Sequence, residues 1–287
     1  MKSCPGPIRE TKKPVFVAPP NSCDTHAHIF GPQALYPFSP QRSYTPEDCT
    51  LSDYKRMLAT LGFDRGVIVH GGAHGTDNRV TLAALEQLGP QFRAVLVQPP
   101  GLKLPERKAL HELGVRGYRM STVVSGGVGF DQLQPLSKEA AELDWHVLLH
   151  FHHAHELLDL ETTLEQLPCP FVLDHLARIE GKQGINDPAF AVVRRLLSTG
   201  KAWVKLASLY RLSSGRYPHR DMLPLIHEVI KDYPDRVLWG SNWPHPIHHG
   251  PMPNDGDLVD LIPLWAPDPA HQHQLLVDNP ARLYGYP

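Results

Sequence analysis

The chain has 287 residues, enough for one α/β barrel of roughly 250 residues or for two smaller domains. Its 28 Lys+Arg nearly cancel 30 Asp+Glu, and the formal charge of −2 excludes a strong sequence-independent grip on nucleic acid or an anionic membrane surface. With 41% apolar and 20% charged residues there is material for a large core, yet no run approaches the ~20 apolar residues of a membrane span.

Residues 1–20, closed by Pro19 and Pro20, read as a polar N-terminal arm. The arm lacks the apolar stretch of a secretory signal, so the expected address is cytoplasmic. Cys4, Cys23, Cys49 and Cys169 are scattered without a CxxC pair and are expected to be free thiols. The 18 histidines need a reason beyond packing, because imidazole serves as metal ligand, proton carrier and hydrogen-bond donor.

Beyond the arm, short apolar runs recur at 22–28, 65–70, 93–99, 115–120, 146–152, 170–177, 202–208 and 236–243. Several are rich in Val, Ile and Leu, as strands buried on both faces should be. Between them, amphipathic stretches at 50–62, 78–89, 105–114, 136–144, 155–167, 188–200 and 222–233 predict helices. Eight strands alternating with helices imply parallel pairing and closure into a single (β/α)8 TIM-type barrel domain over 1–287. No GxGxxG fingerprint supports an open doubly wound sheet. The tail LLVDNPARLYGYP is expected to pack structurally, with Asp278 or Asn279 capping a turn that begins at Pro280.

A barrel carries its chemistry at the C-terminal ends of its strands. His26 and His28 close the first run, and positions i and i+2 of a strand project to the same side. His150 ends the fifth, His175 follows Asp174 at the end of the sixth, and the eighth runs into Ser241, Asn242, Trp243, Pro244 and His245. One such histidine is ordinarily structural. Several at equivalent strand ends predict a shared cavity.

This arrangement resembles the amidohydrolase superfamily. The blocks DTHAHIFGP, YPFSPQRSYTP, HGTDN, GVRGYR, DWHV, VLDHLAR, DRVLWGSNWPHP, MPNDG and VDNPARLY resemble its 2-pyrone-4,6-dicarboxylate hydrolase family over roughly residues 15 to 285. The resemblance implies hydrolysis of a small carboxylated lactone with no cofactor required, and the charge balance predicts no nucleic-acid partner and no membrane. It implies that His26, His28 and His175 surround the lactone carbonyl, that Tyr44 contacts substrate, and that Arg119 and Arg211 hold its carboxylates. A guanidinium fork matches a carboxylate on independent grounds.

Four departures from the family pattern stand out. The family's aspartate at the end of the eighth strand, its general base, is here Asn242, whose amide has no basic lone pair near neutral pH. Either the chain binds substrate without turning it over, or another group is the base. A second arginine after Arg119 is missing, and Ser125 stands in that stretch as a substrate-contact candidate. His150 occupies a family tyrosine position, and Gly72 a serine position. His150 also opens an alternative in which His26, His28 and His150 hold one divalent ion, zinc or manganese, as in metal-dependent decarboxylases. The competing functions are therefore a lactonase, a metal-dependent decarboxylase or lactone isomerase, and a non-catalytic binder of small carboxylates.

Overall fold

The computed structural model describes residues 2–286. Eight strands, β1 (Cys23–Ala27), β2 (Arg65–Val69), β3 (Phe92–Leu96), β4 (Val115–Ser121), β5 (His146–His150), β6 (Phe171–Leu173), β7 (Ala202–Ala207) and β8 (Val237–Gly240), pair in sequence order, all parallel. Just past the last strand, Asn242 N–H donates to His26 O at 2.8 Å, and His28 N–H donates to Trp243 O at 2.8 Å. These bonds close the sheet on itself as a (β/α)8 barrel. The helices α1 (Leu51–Leu61), α2 (Arg79–Leu88), α3 (Leu104–Leu113), α4 (Leu133–Ala141), α5 (Glu156–Glu165), α6 (Pro188–Ser198) and α7 (Leu223–Asp232) fall where the amphipathic stretches predict them.

Local chemistry fixes these boundaries. Thr50 N–H donates to the Asp53 carboxylate at 2.9 Å at the start of α1, and Gly62 ends that helix at φ 74°. Asp187 accepts from Ala189 N–H at 2.8 Å to open α6, with Pro188 supplying the pre-set φ of a first helical residue. Val67, Ile68, Val69 and Leu148 are wholly buried, as strands covered on both faces require. The four cysteines are free and buried.

Polar groups are buried where β1 meets β8. Asp24 accepts from His26 N–H at 3.1 Å, Ser241 N–H at 2.9 Å, Ser241 Oγ at 2.7 Å and Tyr54 Oη at 3.2 Å. Taking the His26 N–H away from the ladder accompanies a register shift between Asp24 and Ala27. Burial nevertheless pushes the Asp24 carboxyl up to about 6. Nearby, Lys205 of β7 is fully buried and donates from Nζ to Thr25 O at 2.8 Å. Burial lowers its pKa to about 8 against the opposing pull of Asp174 and Asp24.

Two segments differ from the sequence expectation. The sixth strand stops at Leu173 instead of running to 177, because His175, Leu176, Ala177 and Arg178 all take left-handed φ values between 49° and 65°. Four consecutive non-glycine residues there carry real strain, roughly 1–2 kcal/mol each. The tail is helical through Asn279–Tyr284, and Asn279 does not cap it. Its amide instead donates to Pro234 O at 2.8 Å and Val237 O at 2.7 Å, tying the tail to the start of β8. No helix among the described residues is long and apolar enough to cross a membrane.

Candidate active site

At the C-terminal end of the barrel the histidine rings converge. The centroids of His26 and His28 lie 4.9 Å apart, those of His26 and His175 4.9 Å, and those of His150 and His175 5.2 Å. All four side chains are buried, and burial depresses their basicity, that of His28 to about 3. They are neutral imidazoles at pH 7.

Their partners limit their tautomers. His28 Nδ1 lies 2.7 Å from Val69 O and His175 Nδ1 3.0 Å from Ala207 O. A carbonyl only accepts, so both Nδ1 atoms carry the proton and both Nε2 atoms carry a lone pair. His26 Nδ1 faces Asp174 Oδ1 at 3.2 Å, while its Nε2 faces His28 Nε2 at 3.3 Å. A proton on His26 Nδ1 leaves two lone pairs opposed across 3.3 Å; a proton on Nε2 leaves a lone pair against a carboxylate. Either choice is repulsive, and a cation among these atoms removes the repulsion.

Asp174 reinforces that reading. It is fully buried, both oxygens lack a hydrogen-bond donor among the described residues, and its Oδ2 lies 3.4 Å from His175 Nε2. Burial raises the carboxyl, and the Lys205 and Arg119 charges oppose it. An ionised, unsatisfied carboxylate is costly to bury without a cation. The strained turn after β6 is what brings Asp174 and His175 to one place, and sequence reasoning gave Asp174 no role.

Arg119, on β4, is 5% exposed. It donates from Nη1 to His70 O at 3.2 Å and from Nη2 to His150 Nδ1 at 3.2 Å, and lies 3.9 Å from Asp174. A guanidinium only donates, so His150 Nδ1 accepts and the proton sits on Nε2. His150 then has no free lone pair for a metal, which corrects the expected set of His26, His28 and His150. The ligand atoms that converge are those of His26, Asp174 and His175, all within 4.8 Å of one another, with His28 beside them.

The other candidates are spread around this centre. Tyr44 is buried, and its Oη accepts from Ala73 N–H at 3.2 Å. Arg211 donates to Pro246 O, and its guanidinium lies 5.7 Å from the Tyr210 ring centroid. Asn242 is buried in a left-handed conformation and donates to Ser208 Oγ at 3.3 Å and Tyr210 Oη at 3.2 Å. Ser125 is exposed in the loop after β4. That loop folds onto Gly72, where an added Cβ would meet Val124 at 2.4 Å, so a serine at 72 is incompatible with this loop position.

Sequence reasoning missed Arg178. The Nε atoms of Arg119, Arg178 and Arg211 are all buried without a hydrogen-bond partner among the described residues. Arg178 also borders a cavity of about 400 Å³, lined with it by His152, His153, His155, Glu180 and Gln183.

An amidohydrolase family model matches residues 23–286. The chain belongs to this family. It is 37% identical to a 4-sulfomuconolactone hydrolase of Rhizobium radiobacter over 289 residues, covering 98% of this chain and 96% of the relative. It is 37% identical to a 2-pyrone-4,6-dicarboxylate hydrolase of Comamonas testosteroni over 284 residues, covering 95% and 92%. An apo crystal structure from Agrobacterium tumefaciens superposes with a TM-score of 0.86 at 30% identity, covering 95% of this chain and 98% of that one. Amidohydrolases often use a metal ion. The orphaned Asp174 oxygens and the opposed imidazole lone pairs fit one, held by His26, Asp174 and His175.

Proposed function

We propose that the chain opens a carboxylated lactone by attack of water on the ring ester carbonyl. Supporting this most directly is the cationic, histidine-lined end of the barrel. Three guanidinium groups with unpartnered Nε atoms surround neutral imidazoles, a setting suited to a small anionic ester. Arg119 and Arg211 take the carboxylates, Arg178 supplies the positive charge absent near Ser125, and Tyr44 donates its hydroxyl proton to the substrate. His150, with its proton on Nε2, adds a donor beside Arg119.

His26, His28 and His175 surround the carbonyl oxygen; the Nε2 lone pairs of His28 and His175 leave the developing negative charge to a cation they would hold. A divalent ion held by His26, Asp174 and His175 supplies Lewis acidity to that oxygen when bound. Zinc titration of metal-free protein is expected to show one site. Its affinity should fall by more than about 10–100-fold in His175→Asn, beyond the usual loss for an outer-shell partner, and hold in His150→Asn. No zinc binding, or equal losses in the two variants, would contradict this ligand set.

Asn242 orients water and takes no proton, so ring opening depends on a neighbouring base. The same asparagine favours a second reading, a binder of carboxylated lactones without turnover. Steady-state assays on 4-sulfomuconolactone and 2-pyrone-4,6-dicarboxylate separate the two. The hydrolase reading expects ring opening of at least one. Tight binding with no product supports the binder.

A further inference from the structure

The segments that follow β7 and β8 bring together Tyr210, His245 and Asp255, a group no single motif connects. Tyr210 lies in the turn Leu209–Arg211 after β7, His245 in the loop after β8, and Asp255 opens the short helix Asp255–Val259. Tyr210 Oη is 2.8 Å from His245 Nδ1, and His245 Nε2 is 3.2 Å from Asp255 Oδ1. His245 is 0% exposed and Asp255 1%. The Asp255 oxygens have no hydrogen-bond donor among the described residues beyond this ion-pair contact.

The other end of the row is different. Tyr210 is half-buried, and its Oη receives the Asn242 amide N–H at 3.2 Å. Tyr210 Oη thus faces two donors, the Asn242 amide and the Nδ1–H of a protonated His245. A network built only to tie loops together would end on a backbone carbonyl; this one ends on a phenol beside the residue in the water-orienting position. Asn242 itself hangs from His26 O by its backbone N–H, and Ser208, its other partner, follows the Ala207 whose carbonyl holds His175. The phenol therefore borders the histidine cluster.

Building on the lactone-hydrolase reading, we propose that Tyr210, oriented by His245 and Asp255, is the general base that Asn242 cannot be. The Tyr210 oxygen, as a phenolate held by the His245 imidazolium and the Asn242 amide, takes a proton from the attacking water while the water oxygen bonds to the lactone carbonyl carbon. The imidazolium stays paired with Asp255 throughout. When the ring C–O bond breaks, the leaving oxygen takes the proton from the Tyr210 hydroxyl, which restores the phenolate. The phenolate acts as base and does not attack, and the imidazole and carboxylate behind it hold its charge. Charges around the group favour it. Burial opposes charge on His245, yet Tyr210 and Asp255 raise it to about 9 against Arg211. Burial likewise raises Tyr210, but His245 and Arg211 bring it below the ordinary tyrosine value.

Two readouts test this separately from the hydrolase reading. In assays on 4-sulfomuconolactone and 2-pyrone-4,6-dicarboxylate, Tyr210→Phe is expected to lower kcat by about 10²–10⁴-fold with KM within a few-fold. Adding Asn242→Asp to Tyr210→Phe should recover most of that loss, because a carboxylate then stands beside the water. Full activity in Tyr210→Phe would overturn the proposal. The second readout needs no turnover: the ultraviolet difference spectrum between wild type and Tyr210→Phe should show one tyrosine ionising below pH ~10. If Tyr210 ionises at or above that value, the proposal fails even in an active enzyme. If neither lactone is opened while the low-pH ionisation is present, the substrate reading fails and the Tyr210 phenolate paired with His245 and Asp255 stands.

Discussion

Arg119→Ala is expected to weaken binding of a carboxylated lactone by about 2 kcal/mol or more, roughly 30-fold in Kd. The guanidinium is 5% exposed and has one carboxylate near it, Asp174 at 3.9 Å, too far for a tight pair. Its Nη atoms hold His70 O and His150 Nδ1, which fixes the orientation of the plane and leaves the Nε edge unpartnered. A substrate carboxylate meets a group already desolvated and already oriented, so little ordering cost remains on the protein side. Truncation strands that carboxylate in a buried site. Arg119→Lys should recover only part of the loss, because a point charge does not reproduce the fork. Calorimetry against 4-sulfomuconolactone or 2-pyrone-4,6-dicarboxylate checks both variants, and unchanged affinity in Arg119→Ala would remove the anion anchor.

His175→Asn is expected to lower kcat by about 10²–10³-fold, because it removes the Nε2 lone pair that would hold a divalent ion beside the developing oxyanion. His175 is held by Ala207 O on one side and faces Asp174 on the other, at the head of a left-handed turn that positions both. Such strain persists only where the surrounding structure over-determines it, and sites of chemistry are where it clusters. An asparagine tolerates the left-handed backbone but is too short to place a donor or lone pair where Nε2 lies. The loss should therefore fall on kcat more than on KM, since the carboxylate anchors are untouched. A KM effect alone would assign His175 to ground-state binding.

The barrel was legible in the sequence because its signals are local. Apolar runs such as RGVIVH and HVLLHFH can be buried on both faces only in a parallel sheet, and caps such as Thr50 and Asp187 mark helix starts residue by residue. His26 and His28 were legible for the same reason, since strand alternation puts i and i+2 on one side. What was not legible depends on backbone that no local pattern encodes. The left-handed turn at 175–178 ends β6 early and makes Asp174 a partner of two histidines. His150 looks like a ligand by position, but Arg119 on the neighbouring strand claims its lone pair. Arg178 closes the VLDHLAR block without a role of its own there and gains meaning only beside Arg119 and Arg211. Tyr210 follows β7 and His245 and Asp255 follow β8, and the pairing of these two strands brings residues far apart in sequence within hydrogen-bond reach.

Product mass after turnover in heavy-oxygen water tests the central claim most directly. Attack of water on the lactone carbonyl places one labelled oxygen in the new carboxylate of the ring-opened product, and the amount of labelled product should match the lactone consumed. For an enzyme of ordinary efficiency this proceeds with kcat/KM on the order of 10⁴ M⁻¹s⁻¹ or more. Lactone consumed without label in the product, as in isomerisation or decarboxylation, would contradict the hydrolytic account.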